Sequence, residues 1–263
     1  MLYTHLKDSG DSFEPERNLM QVTFGLDGGG SIGADREGNV YVAWHAVGVH
    51  DVGQGDGEAR RQVWVAKSDT DGRTFSKERK AWQERTGACG CCGMKLIAGP
   101  GGTVNALYRS ARESIHRDIY ILRSNDRTET FEGRLLHPWE INACPMSSMD
   151  LAERRGDLLA AWETGGQAYW VEVGAGQDRS SEPTPAPGER GGRKHARLTT
   201  NSEGEVLFVW TEGTGWQRGG SLAWQHYDRD GSPTEVSGGI PGIPTWSFAA
   251  PVACRDGGFV ILY

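Results

Sequence analysis

One pattern governs what this chain can fold into: a glycine, five residues, then an aromatic, repeated five times. The copies run Gly38 to Trp44, Gly102 to Tyr108, Gly156 to Trp162, Gly204 to Trp210 and Gly257 to Tyr263. Successive aromatics are 64, 54, 48 and 53 residues apart, and ten residues before each stands a small residue: Ala34, Ala98, Ala152, Thr200 and Ala253. The pattern reads as a strand, a Gly turn and a second strand. After each of the first four aromatics a loop leads to a third apolar stretch, at 63–66, 119–122, 168–171 and 222–225. A four-stranded unit recurring about every 50 residues marks a β-propeller. Composition agrees, because 38 Gly and ten Trp in 263 residues supply many tight turns and a large apolar core, with Gly at twice its usual share of about 7%.

Three polar segments occupy related places after third strands: Ser68-Asp69-Thr70-Asp71-Gly72-Arg73-Thr74-Phe75, Ser124-Asn125-Asp126-Arg127-Thr128-Glu129-Thr130-Phe131, and Asp8-Ser9-Gly10-Asp11-Ser12-Phe13. They resemble the Asp-box, or BNR, repeat Ser-x-Asp-x-Gly-x-Thr-Phe of bacterial sialidase-like propellers. The copies are degenerate: Thr70 stands for Asp, Thr128 for Gly, and Leu6 for the first Ser with Ser12 for Thr. The motif is a hairpin turn in which short polar side chains bond nearby amides and Gly takes positive φ. The resemblance spans most of the chain and is strongest from Lys194-His195-Ala196-Arg197 to Trp216. It implies an exported bacterial protein and, for an enzyme, an exo-α-sialidase-like glycoside hydrolase.

The expected fold is one all-β propeller over 1–263 with five four-stranded blades, the terminal strands 2–6 and 259–263 sharing one blade and so removing exposed sheet edges. A six-bladed sialidase-like ring is the alternative if further blade sequence precedes Met1.

Direction of travel sorts the loops. With the Gly turns and Asp boxes on the bottom, the crossovers and the two-to-three loops fall on the top, and so do nearly all chemically unusual residues. Arg109 follows a repeat aromatic and Glu113 and Arg117 flank the next loop, while His45, Glu163 and Thr211 also directly follow repeat aromatics. Lys194, His195, Glu212, Trp216 and Trp246 complete the ligand-binding candidates. Tryptophan beside acids and amides suits sugar, since the ring stacks on C–H surfaces while polar neighbours bond hydroxyls. A sialidase also needs three arginines, a Tyr nucleophile raised by a Glu, and an acid. No Phe-Arg-Ile-Pro motif is present and Tyr263 reads as the last core aromatic, so no catalytic residue is assigned. The bland reading of the arginines is a set of blade-bridging salt bridges.

Cysteines supply the second theme. Cys89, Cys91 and Cys92 lie on one top crossover and Cys144 on the next, at nearly equivalent repeat positions of sequence-adjacent blades. A Cys92–Cys144 disulfide, a Cu or Zn site on Cys89, Cys91, Cys92 and Cys144 with Met94, Met146 and Met149 nearby, and buried inert thiols all follow from that placement. Cys254 sits in a first strand as a small core residue.

Charge excludes some partners. Lys+Arg 28 against Asp+Glu 35 leaves −7 with no basic run, which disfavours nucleic acid. No apolar run reaches the roughly 18 residues of a membrane span, and Met-Leu-Tyr-Thr-His-Leu-Lys-Asp lacks a signal-peptide pattern. The sequence-level reading is a propeller whose top face binds a small polar ligand such as a glycan. A metal or redox site on the cysteines and a protein-interaction platform are the alternatives.

Overall fold

The computed structural model describes residues 1–53, 57–174, 182–189, 191–245 and 247–263. Among them there is no α-helix, only two short 3-10 turns at Gly57–Arg60 and Pro100–Gly102, and therefore no helix long and apolar enough to cross a membrane. The chain divides into two compact units, Met1–Cys144 and Pro145–Tyr263.

The first unit contains two complete antiparallel blades. One runs Gly30–Ala34, Val40–Gly48, Gln62–Ser68 and Arg79–Lys80, with the short strand Thr23–Phe24 pairing the far end of its second strand. The next runs Lys95–Ala98, Val104–Arg109, Ile119–Ser124 and Glu132–His137. The second strands are the most apolar and the most enclosed: every residue of Val40–Gly48 and of Val104–Arg109 is buried. A strand covered on both faces needs no polar alternation, and Val-Tyr-Val-Ala-Trp shows none.

The second unit repeats the plan. Asp150–Arg154, Asp157–Thr164, Gln167–Val173 and Thr184–Pro185 form one sheet. Arg193–Thr200, Val206–Glu212, Gly220–Tyr227 and Pro233–Ile243 form another. Outer strands carry Pro185, Pro233 and Pro241, which an edge tolerates because a proline cannot donate to a ladder.

The repeat glycine has one job. Gly38, Gly102, Gly156, Gly204 and Gly257 all take φ between 81° and 90°, the left-handed region that a side chain disfavours. Four of the repeat aromatics fill the cores: Trp44 and Trp162 are fully buried, Tyr108 and Trp210 nearly so. Tyr263 departs from the expectation and is 57% exposed. Among the described residues its sheet consists of the strands Ala250–Ala253 and Phe259–Leu262. Tyr263 instead lines an apolar groove of about 370 Å³ with Leu207, Leu222, Trp224, Phe259 and Ile261.

The polar hairpins form by side-chain to backbone bonding. Ser68 Oγ accepts the amides of Thr70 and Gly72, and Ser124 Oγ accepts those of Asp126 and Thr128. Asp126 accepts the Thr130 hydroxyl and amide, which with other local bonds hold its carboxyl down to about 2. Thr128, at the glycine position of that turn, takes φ 72°.

The terminal ladder differs from expectation. Leu2–Tyr3 pairs with Arg17–Asn18 around the Asp8-to-Phe13 turn, with a further bridge between Leu6 and Phe13, and Phe259–Leu262 pairs with Ala250–Ala253. Among the described residues no ladder joins 2–6 to 259–263. Pairing across a turn of a dozen residues closes a far smaller loop than pairing the two ends of the chain, and so costs less entropy.

Candidate thiol site and the expected ligand residues

The loop 84–94 leaves Lys80 and returns into Lys95–Ala98, carrying three cysteines across the end of its blade. Neighbouring backbone pins it on both sides. Cys89 N–H donates to Arg109 O at 2.9 Å, Gly29 N–H to Gly90 O at 3.2 Å, and Ala88 N–H to Glu58 O at 3.3 Å. Glu58 holds it a second time, its Oε1 accepting the Gly90 amide at 2.8 Å. The same carboxylate takes Arg117 Nη1 on Oε2 at 2.7 Å, and Arg61 reaches from Glu58 to Asp27, packing over Gly90.

Four sulfurs meet there. The Sγ atoms of Cys89, Cys91, Cys92 and Cys144 all lie within 4.8 Å of one another. From Cys89 the separations are 3.2 Å to Cys92, 3.5 Å to Cys91 and 3.8 Å to Cys144. Cys91 and Cys144 are joined in a disulfide, with their Cα atoms 7.1 Å apart. The expected Cys92–Cys144 pair is therefore corrected by one residue. Residues 89–92 form a turn, closed by Cys92 N–H donating to Cys89 O at 3.3 Å, in which Cys92 faces into the core, fully buried, while Cys91 is exposed. Cys89 and Cys92 remain thiols. The Cys89 thiol is pushed up by its hydrogen bond to Cys92 and by burial, so it stays protonated at neutral pH.

Of the neighbouring thioethers, Met94 packs into the apolar core of the first unit with Ala88 and Leu96. Met146 and Met149 belong to the second unit. Cys254 is half-buried beyond the strand Ala250–Ala253.

His45 lies beside the thiol loop. It is completely buried, burial holds its pKa down to about 4, and neither ring nitrogen has a hydrogen-bond partner. Its ring packs against Gly29, which also packs against the Cys92 carbonyl. His45 shares a repeat position with Arg109, Glu163 and Thr211, each next after a core aromatic, and all four are buried. A buried polar residue directly after the core aromatic is thus shared by these four second strands.

The remaining ligand candidates divide between the units. In the first, Arg109 is fully buried, sits 5.2 Å over the Trp139 ring and donates from Nη1 to Arg117 O at 2.8 Å. Arg117 is spent on Glu58. Glu113 is exposed, at φ 54°, beside Arg112 and His116. In the second unit, Glu163 accepts the Gly166 amide at 2.8 Å, and Lys194 donates to Pro145 O at 2.5 Å. Glu212 takes Trp210 Nε1 at 2.8 Å and Arg193 Nε at 3.0 Å. His195 sits at φ 54° where the first strand bulges, bonded to Ser148 at 3.2 Å and edge-on to Phe248. Burial, then Arg197 and Lys194, lower its pKa to about 4. Trp216 is 66% exposed on its loop. Trp246 lies outside the described residues.

Glu58, Arg61 and Asp27 carry this site's charge network, and sequence reading missed them. Nothing short-range marks Glu58, which follows a Gly-rich loop and meets partners 32 and 59 residues away.

Solved structures place the fold. Over 90% of this chain and 75% of theirs, the chain matches the Penicillium chrysogenum α-L-arabinanase complexed with arabinobiose, at TM-score 0.64 and 14% identity. The intramolecular trans-sialidase of Ruminococcus gnavus matches over 99% of this chain and 82% of its own, at TM-score 0.59 and 11% identity. By fold, the chain is a β-propeller. The GH93 α-L-arabinofuranosidase of Fusarium graminearum matches equally well, at TM-score 0.59 and 12% identity over 93% of this chain and 80% of that one. No protein-family model matches the sequence, and no curated protein matches it. Identities this low extend the likeness to the fold and no further.

Proposed function

We propose that this propeller binds a carbohydrate, and a neutral sugar in preference to a sialoside. The observation that carries the reading is the fold match over nine-tenths or more of the chain to an arabinanase and an arabinofuranosidase, both complexed with arabinobiose, and to a trans-sialidase. The charge arrangement supports the neutral choice. A sialoside carboxylate calls for convergent arginines, and here Arg117 is held by Glu58 while Arg109 lies under Trp139 and bonds a carbonyl. Trp216, exposed on its loop, offers a flat apolar face for stacking on a sugar ring. Binding rather than turnover is the proposal, because no nucleophile and acid pair is assigned.

A glycan array carrying arabino-oligosaccharides and sialosides, run beside fluorogenic arabinofuranoside and sialoside assays, tests it. Binding to neutral arabino-oligosaccharides, weakened by Trp216→Ala, supports the reading. Selective sialoside binding overturns the neutral preference, and silence across the array overturns carbohydrate binding.

A further inference from the structure

The four-sulfur cluster goes beyond sugar binding. We propose that, once the Cys91–Cys144 bond is reduced, Cys89, Cys91, Cys92 and Cys144 close around one thiophilic d10 cation, Zn(II) or Cu(I), in the first unit.

Geometry supports the site. Metal–thiolate bonds of about 2.3 Å arranged tetrahedrally place sulfurs about 3.8 Å apart. The separations from Cys89 to the other three are 3.2, 3.5 and 3.8 Å, so small rotations of the side chains complete the figure. Three ligands come from one loop and the fourth from another segment, and the loop is already held by Glu58, Arg109 O and Gly29. A preformed cage spares the entropy of gathering ligands. The Cα atoms of Cys91 and Cys144, 7.1 Å apart, are also spaced more widely than the 4.4–6.8 Å usual for a disulfide.

The donor set selects the cation. All-sulfur coordination suits soft or borderline ions and disfavours Mg(II) and Ca(II), which take oxygen.

The chemistry balances. Two equivalents of a small thiol reductant, or one of a dithiol, transfer two electrons and two protons to the Cys91–Cys144 bond. The S–S bond breaks, two cysteine thiols form, and the reductant leaves as its own disulfide. Cation binding then releases the protons of the four thiols. The disulfide and the metal exclude each other: a small disulfide oxidant that takes two electrons from the Cys91 and Cys144 thiolates leaves as two thiolates, re-forms the Cys91–Cys144 bond and expels the ion.

The full-length protein, reduced and handled without oxygen, is titrated with Zn(II) against a chromophoric chelator and, separately, with Cu(I) against a Cu(I) chelator. The expected result is one equivalent bound, no retention by the oxidised protein, and tetrahedral thiolate absorption on Co(II) substitution. Retention of Zn(II) assigns zinc, and retention of Cu(I) alone assigns copper. Cys89→Ser lowers affinity by more than the ~10–100-fold that loss of an outer-sphere group costs, while Cys254→Ser leaves it unchanged. Should Cys89→Ser not fold, alkylation of the unaltered protein decides: bound metal protects four cysteines and leaves Cys254 reactive. A reduced protein that retains neither ion, or whose four cysteines alkylate equally with and without metal, overturns the site.

Discussion

Arg117 Nη1 lies 2.7 Å from Glu58 Oε2, across 59 residues of sequence, and the other oxygen of the same carboxylate holds Gly90 in the thiol loop. One acid therefore couples the arginine of the 110–117 loop to the three cysteines. Arg117 is almost wholly buried, so removing its partner strands a charge out of water.

Breaking a pair of this kind by deleting one member costs about 3–5 kcal/mol, and Glu58 being partly exposed places the expectation for Glu58→Ala near 3 kcal/mol. Replacing both, as Glu58→Leu with Arg117→Met, is expected to recover most of that loss. Urea unfolding of the two single variants and the double variant checks it. A double variant as unstable as the sum of the singles contradicts the coupling.

Two glycines separate backbone strain from crowding. Gly38 and Gly28 take φ 83° and 69°, but a Cβ on Gly38 meets nothing, whereas one on Gly28 overlaps the Gly90 carbonyl oxygen. Gly38→Ala is expected to cost about 1–2 kcal/mol from the left-handed conformation alone. Gly28→Ala adds about 1–3 kcal/mol of overpacking and pushes on the thiol loop. Thermal melts give the first difference. Faster alkylation of Cys89 and Cys92 in Gly28→Ala, unmatched in Gly38→Ala, gives the second.

The repeat aromatic is one sequence position with two environments. Trp162 is fully enclosed, and Trp162→Ala is expected to cost about 3–5 kcal/mol. Tyr263→Ala, at 57% exposure, is expected to cost less than about 1 kcal/mol. Comparable denaturation midpoints for the two variants would show that the exposed ring is buried in solution.

What could be read from sequence alone was what recurs. The Gly-to-aromatic spacing revealed the second strand of each blade, and the serines at 68 and 124 revealed the polar turns, because both depend on residues within eight positions of each other. The cysteine loop was legible in place but not in detail. Which of Cys91 and Cys92 faces Cys144 depends on a single side-chain reversal, and spacing leaves that open to either residue. Arg109 and Arg117 look like ligand groups in sequence. Only their partners Trp139 and Glu58, 30 and 59 residues away, show that they brace the blade. The terminal strands were assigned to each other by completing the repeat, whereas the hairpin between Leu2–Tyr3 and Arg17–Asn18 offered a nearer pairing.

His195 makes acid stability the last measurable consequence. Its imidazole is packed between Ser148 and the edge of Phe248, and burial, then Arg197 and Lys194, bring its pKa from 6.5 to about 4. In the unfolded chain the same group titrates near 6.5. Between those values the unfolded state binds the extra proton, so stability rises with pH there. His195 is thus neutral and compatible with the fold above pH 6.5, and its contribution is lost as pH falls toward 4. Lowering the pKa from 6.5 to about 4 corresponds to about 3 kcal/mol. His45 acts in the same window with the same sign, burial bringing it also to about 4. The unaltered protein should therefore lose stability steeply from pH 6.5 to 4, and His195→Gln should lose about half as much. Urea midpoints at half-unit pH steps measure both slopes, and identical slopes would mean that His195 takes up its proton while still folded.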